Sequence, residues 1–386
     1  MRDSEIFPLY ISPTLTYIYK IYAFIIYNQM MLSLITAFLT SFVTTLLIIR
    51  FKHLHQKFSS DWDLSGPQKF HRVAVPRIGG VSIAVGLFSA ILIKVYRSDI
   101  DSIELIFFVC AIPTFAIGLT EDLTKKISVR MRLFFTAISA ACAVYLLNIQ
   151  ITNLNIPFLD FLFNIPLFGI AFTIFAITGL ANAYNIIDGF NGLSSMVGII
   201  TLLGLAYVAY TLGDTTITYL SLVMAGAILG FFIWNYPQGL IFLGDGGAYL
   251  IGFWIGALSI WLCHKHPEIS SWFALLVNGY PIMETLFTIY RRKMHHNKGA
   301  GVPDGIHFHT LIFRRALLAK PYETSLSANA RTAPYLWILA GASIVPAILW
   351  RNSTPILIFT CLLFALSYMW VYRKIVQFKT PKWIFF

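Results

Sequence analysis

The sequence predicts an all-α integral membrane protein, a polytopic helical bundle of about eleven transmembrane helices. Three observations predict it. Of the 386 residues, 58% are hydrophobic and only 12% are charged, whereas a soluble domain carries about 25% charge. The apolar residues fall in runs of roughly 17–25, the length at which a helix crosses a bilayer. The short alternating segments of a membrane β-barrel do not occur in the sequence.

In chain order, the first thirty residues are aromatic and irregular, with Lys20 inside their best apolar window. They lack the ordered basic segment, short apolar segment and small-residue cleavage site of a signal peptide. Residues 1–30 therefore read as an extracytoplasmic or interfacial segment, and translation from Met30 or Met31 fits equally well. Eleven apolar runs follow, near 31–50, 78–96, 103–120, 131–148, 163–181, 192–212, 216–234, 247–263, 270–290, 334–350 and 354–372. Residues 31–375 form the membrane bundle, and 376–386 form a cytoplasmic tail. Cys110, Cys142, Cys263 and Cys361 all lie inside expected spans without a CxxC pair. They read as small core residues, not as disulfides or metal ligands.

The net charge of +11 is distributed by topology. With the N-terminus outside, 22 of the 28 Lys and Arg residues fall on inside loops and the tail. Only Arg2, Lys20, Lys94, Arg97, Lys265 and Arg351 lie outside. This bias sets the expected orientation as N-out, C-in. It also accounts for the basic composition without nucleic acid, and leaves cations to meet anionic lipid or phosphate.

The loops entering the even-numbered spans are 69–80, 121–132, 182–191, 235–246 and 291–333, and every unusual acidic or His-rich motif lies in that set. Parity thus places one polar site on the cytoplasmic face. The first loop carries Lys69, His71, Arg72 and the Gly-hinged turn Pro76-Arg77-Ile78-Gly79-Gly80. In the second, Glu121 and Asp122 are adjacent carboxylates, which repel unless a cation neutralises them, and Lys125, Lys126, Arg130 and Arg132 follow. The third holds Asn182, Asn185, Asp188, Gly189, Phe190, Asn191 and Gly192 between long apolar runs. Polar groups at membrane depth are expensive and usually functional, and carboxylate and amide oxygens suit a hard cation. In the fourth, Asp245 sits in the Gly-rich turn Phe242–Gly247 at the start of a span. That arrangement suits phosphate or metal binding, and equally a helix cap. In the fifth, His307 and His309 precede Arg314 and Arg315. With no further N or S ligand nearby, phosphate binding or acid–base work is preferred over zinc, and His295-His296 reads as a solvated pair.

Taken together and in this order, these motifs resemble the polyprenyl-phosphate N-acetylhexosamine-1-phosphate transferase family (glycosyltransferase family 4), over about residues 30–375. The resemblance implies that an N-acetylhexosamine-1-phosphate passes from a UDP-N-acetyl amino sugar to undecaprenyl phosphate, with release of UMP. It implies Mg²⁺ on Asp245 and Asn185, with Mn²⁺ as the alternative ion. Asp188, Gly189, Phe190 and Asn191 would border uracil and ribose, and Phe242 would stack on uracil. Asp122, supported by Glu121, would lie near the acceptor phosphate, either as base or to position metal or acceptor. His307, His309 and Arg314 would contact the diphosphate or sugar, with Asn182, Lys69, Arg77, Arg130 and Arg132 completing the substrate contacts. The expected partners are the UDP-sugar, undecaprenyl phosphate and the lipid bilayer of a bacterial inner membrane, with a homodimer allowed. Two positions depart from the family: Glu121 replaces the usual first Asp, and Thr310 stands where many members have a third His. A secondary transporter with a cytoplasm-facing polar site is the competing reading, but the sequence shows no internal repeat and its motifs gather at one face. A CDP-alcohol type transferase is disfavoured because Asp188-Gly189 lacks the Ala-Arg and spaced Asp pair of that class, and the ordered motif set argues against a non-catalytic scaffold.

Overall fold

The structure, a computed structural model, describes residues 13–59, 75–97, 100–295, 307–317 and 325–379, with side chains described from Asn28 onward. Among them the chain is helical, with no β-sheet. The helices are α1 (Pro13–Arg50), α2 (Lys52–Ser59), α3 (Gly79–Tyr96), α4 (Ser102–Thr124), α5 (Val129–Leu147), α6 (Pro157–Asp160), α7 (Pro166–Ile187) and α8 (Leu193–Thr211). There follow α9 (Thr215–Asn235), α10 (Gly244–Lys265), α11 (Ser271–Val277), α12 (Gly279–His295), α13 (Phe308–Leu311), α14 (Ser325–Leu349) and α15 (Thr354–Val376). Helix α1 runs without a break across residue 30.

Ten helices among the described residues are long and apolar enough to cross a membrane. They account for ten of the eleven expected spans. The remaining one, near 270–290, is two helices, α11 and α12, joined at Asn278. Pro281 supplies the reason: a proline ring collides with the carbonyl four residues earlier, here Val277, the last residue of α11. Inside a bilayer, freed backbone groups need partners. The Asn278 amide donates to Ala274 O (3.0 Å) and Ser259 Oγ (3.1 Å).

Helix α10 is the centre of the bundle. Every residue from Gly244 to Leu262 is buried, in keeping with a helix that is apolar on all faces. It packs against α3, α4, α7, α8 and α11. The outer helices instead show apolar side chains to lipid, including Phe88, Phe134, Phe175, Ile338 and Phe359. Without a hydrophobic drive between helices in lipid, small residues permit the close approach that holds them. A Cβ on Gly80 would overlap the backbone of Gly247, and one on Gly118 would come within 2.7 Å of Gly246 Cα. Helices α3 and α4 therefore press directly on the first turn of α10. Pro113 interrupts the hydrogen-bond ladder of α4, and Thr114 N–H bonds to Ser139 Oγ of α5 instead (2.9 Å).

The two ends of the bundle differ in charge. At one end Lys94 meets both Glu104 oxygens (2.7 and 2.5 Å), and Asp214 receives Lys265 (2.7 Å) and His266 (3.1 Å). The five motif loops converge at the other end, where α4, α7 and α9 finish and α3, α5, α8, α10 and α14 begin. Gly80→Val should lower the melting temperature of the detergent-purified protein by the equivalent of about 1–3 kcal/mol, the usual cost of overpacking. Val85→Ala, on the lipid-facing side of α3, should leave it unchanged.

Candidate active site

The turn Phe242–Gly247 is folded onto the carboxylate of Asp122. Gly244 has φ +75°, and a Cβ there would overlap Arg77 O and reach 2.5 Å from Asp122 Oδ2. Only glycine adopts this conformation and this approach together. The result places Asp245 N at 2.8 Å from Asp122 Oδ1 and Gly246 N at 2.8 Å from Oδ2. A carboxylate at a helix N-terminus satisfies donors that lack an intrahelical acceptor and meets the positive end of the dipole. Asp122 is 1% exposed. Both its oxygens are occupied by backbone N–H groups, so its position is that of the cap on α10, not of a base open to a substrate hydroxyl or phosphate. Glu121 has a local partner as well: its Oε2 accepts from Ile127 N (2.6 Å) and closes the turn between α4 and α5.

That turn delivers Arg132, whose guanidinium contacts Asp245 Oδ2 and lies over the Tyr249 ring (5.7 Å). Arg77 reaches Asp245 Oδ1 (3.4 Å) and Asp122 Oδ1 (3.8 Å). Asn185 Nδ2 donates to Asp245 Oδ1 (3.0 Å), and Asn182 Oδ1 accepts from Tyr249 O–H (3.0 Å). Four loops thus meet at Asp245. Asp188 is half-buried at the end of α7. Burial raises its carboxyl to about 7, with Arg77 opposing the rise, so its charge is set close to neutral pH and follows any cation brought beside it.

The second half of the site is built on the α7–α8 turn. A Cβ on Gly189 would lie 2.9 Å from His309 Nε2, which brings the His loop against this turn. His307 and His309 stack in parallel, with centroids 5.1 Å apart and planes at 7°. Phe190, expected beside uracil, is a buried core residue packed on His309 (5.5 Å) and Phe313 (5.3 Å). Asn191, expected beside ribose, is 2% exposed and fully used as a pin. Its N–H donates to Asn329 Oδ1 (3.1 Å) and its amide to Pro237 O (3.1 Å). Phe242 is half-buried, and its backbone ties to Pro76 O (2.8 Å) and Gly79 N (3.0 Å). Arg130 and Arg314 are exposed. Lys69 lies outside the described residues.

Sequence reading missed three supporting residues. Asn235, at the end of α9, accepts from Gly192 N (2.6 Å) and donates to Ile241 O (2.7 Å), so it fixes two motif loops at once. Asn329 holds Asn191 from α14. Glu284 Oε1 accepts from His307 Nδ1 (3.1 Å). The available signal for Glu284 was a lone carboxylate inside an apolar run.

The residues present fit a hard divalent cation. Asp122, Asp188 and Asp245 supply up to three negative charges against the guanidinium groups of Arg77 and Arg132, leaving room for further positive charge. Among the described residues no three His, Cys, Asp or Glu side chains form a ready-made metal nest. Mg²⁺ does not need one, since it binds through one or two carboxylates together with substrate phosphates. Asp245 and Asn185 would hold it, Asn185 by turning its amide to present Oδ1.

Comparison with known proteins fits this geometry. Residues 104–263, which contain Asp122, Arg132, Asp188 and Asp245, match the family described as glycosyl transferase family 4. The probable undecaprenyl-phosphate N-acetylglucosaminyl 1-phosphate transferase of Bacillus subtilis (strain 168) is 28% identical over 284 residues, 73% of this chain and 78% of that protein. The undecaprenyl-phosphate alpha-N-acetylglucosaminyl 1-phosphate transferase of Escherichia coli O157:H7 is 26% identical, over 80% of this chain and 84% of that protein. The phospho-N-acetylmuramoyl-pentapeptide-transferase of Pelagibacter ubique (strain HTCC1062) is 30% identical, over 50% of this chain and 61% of that protein.

If Asn191 is a pin, Asn191→Ala should cost about 0.5–1.5 kcal/mol of stability through loss of its side-chain hydrogen bond to Pro237 O, read by thermal unfolding in detergent. The KM for the nucleotide substrate should stay within about twofold of wild type. A large rise in KM with unchanged stability would return Asn191 to the substrate. In its bundle fold, the matched segment and the carboxylate and arginine residues gathered at Asp245, the chain is similar to glycosyl transferase family 4 over residues 104–263.

Proposed function

We propose that the protein transfers an N-acetylhexosamine-1-phosphate from a UDP-N-acetyl amino sugar to undecaprenyl phosphate, releasing UMP and starting a lipid-linked glycan such as an O-antigen or other surface polysaccharide. The observation that carries this reading is the meeting of Arg77, Arg132, Asn185 and Asp245 at one end of a membrane bundle, beside the His307–His309 loop. In the reaction an oxygen of the lipid phosphate forms a bond to the β-phosphorus of the donor. The bond from that phosphorus to the bridging oxygen breaks, and UMP carries that oxygen away. Negative charge grows on the bridging and non-bridging oxygens, where preorganised cations lower the barrier most.

Arg77 and Arg132 are held in place by Asp245 and Asp122 and would face those oxygens. Mg²⁺, when bound at Asp245 and Asn185, adds Lewis-acid charge on the diphosphate. The acceptor phosphate is already ionised near neutral pH and needs no base, consistent with Asp122 being engaged as the α10 cap. His307 and His309 lie against the α7–α8 turn and would serve the diphosphate or sugar. Gly189 is exposed there, and its missing Cβ lets His309 pack directly against the turn.

The loop charges support an N-out, C-in orientation in a bacterial cytoplasmic membrane, which places the site where UDP-sugars are made. The opposite end adds to this reading, because Lys94 and Lys265 there are matched by Glu104 and Asp214. A reporter fused after Phe386 is expected to give a cytoplasmic signal; a periplasmic one would overturn the orientation.

The reaction is tested by UMP release from a panel of UDP-N-acetyl amino sugars, with undecaprenyl phosphate and Mg²⁺. One donor is expected to react. Chelation should abolish release, and Asp245→Ala should lower it by roughly 100-fold or more, as loss of a charge-stabilising group does. The reading fails if no donor yields UMP while Asp245→Ala leaves glycan synthesis intact in cells.

A further inference from the structure

Glu284 stands alone as a carboxylate in the apolar run Tyr280–Thr288 of α12, and it is 1% exposed. A charge so placed is tolerated only when paired and fully hydrogen-bonded. It has three donors. His307 Nδ1 lies 3.1 Å from Oε1, Phe308 N lies 3.1 Å from the same oxygen, and Tyr368 O–H from α15 lies 2.9 Å from Oε2. Thr288 Oγ1 also approaches His307 Nδ1, at 3.2 Å. Because a carboxylate accepts, His307 must carry its proton on Nδ1, and its Nε2 is left to serve another group.

The consequence reaches the site. His307 stacks on His309, and His309 Nε2 lies against Gly189 of the α7–α8 turn. The order Tyr368, Glu284, His307, His309, Gly189 therefore runs from the lipid-facing helix α15 to the polar centre. An imidazole fixed by a carboxylate is more basic and keeps a set orientation. The other titratable or charged groups around the pair, among the described residues, are Tyr280 and Arg291 on α12, His309 on α13, and Tyr368 and Tyr372 on α15.

We propose that Glu284 is a positioning residue that fixes His307 with its proton on Nδ1, and so sets the orientation of the His307–His309 stack against the α7–α8 turn for the donor's diphosphate. This rests on the transferase reading above. A purely structural alternative has Glu284 fastening α12 to α13 and α15 and nothing more.

The test uses the full-length protein in detergent with Mg²⁺ and its best UDP-sugar. Glu284→Gln keeps an acceptor for Phe308 N and Tyr368 O–H but removes the charge. It is expected to lower kcat/KM on the order of 10- to 100-fold, the range for groups that orient a histidine ligand. Glu284→Asp should recover part of the loss. In a His307→Gln background, Glu284→Gln should add nothing, because both changes remove one unit. Multiplied losses in the double variant, with no recovery in Glu284→Asp, would overturn the proposal in favour of fastening alone.

A readout independent of catalysis separates this inference from the transferase reading. In protein labelled with ¹⁵N-histidine, the signal lost in His307→Gln should show a proton on Nδ1. Glu284→Gln should shift that proton toward Nε2. A wild-type His307 protonated on Nε2 alone, or one insensitive to Glu284→Gln, would sink the proposal whether or not UMP is released.

Discussion

The pair of hydrogen bonds from Asp245 N and Gly246 N to the Asp122 carboxylate is the constraint on which the rest of the site depends. It anchors the first turn of the central helix to the end of α4 and points the Asp245 side chain at Arg77, Arg132 and Asn185. In hydrocarbon the unsatisfied N–H groups of a helix start are costly, so one carboxylate both closes that deficit and builds the centre. The glycines around it follow from the same demand. Gly244 lets the chain cross over Asp122, and Gly80, Gly118, Gly246 and Gly247 let three helices meet backbone to backbone.

The bundle is therefore assembled from one end. Asn235 and Asn191 lace the α7–α8 turn to the α9–α10 loop, and Asn329 adds α14 to the same knot. The site combines a polar network of short, directional bonds with an apolar body that supplies depth but little specificity. Buried networks of this kind are valuable only when each member is satisfied. That explains why several motif residues are spent on holding loops. Asn191 and Phe190 belong to the motifs yet are buried in the protein, and Glu121 closes the α4–α5 turn.

The spans were legible because hydropathy alone locates a bilayer-crossing helix, and the motif loops were legible because Asn, Asp and His stand out between apolar runs. Their gathering on one side of the membrane was read from counting spans, and in the structure Arg77, Asp122, Asn185 and Asp245 lie together. The inward or outward direction of each side chain was not legible. A motif shows residue types and spacing, and both a substrate contact and a loop pin favour Asn. The break at Asn278 hid inside a run that reads as one continuous helix, although Pro281 marks it once the i−4 clash is considered. Glu284 was masked for the same reason: it counted as one polar residue in a span rather than as the partner of a histidine twenty-three positions later.

Between Asp245 at its first turn and His264 near its last, α10 carries no charged side chain, and its buried stretch runs from Gly244 to Leu262. That is roughly 25 Å of axis at 1.5 Å per residue. Among the described residues, this central helix offers no charged side chain along that length to a polar head group at the Asp245 end. Under the proposed reaction, the sugar-bearing lipid would leave sideways into the leaflet in which it was formed. Moving that head group to the other leaflet would then be the work of a separate carrier, and the enzyme itself would hold the membrane's ion gradients intact while it turns over.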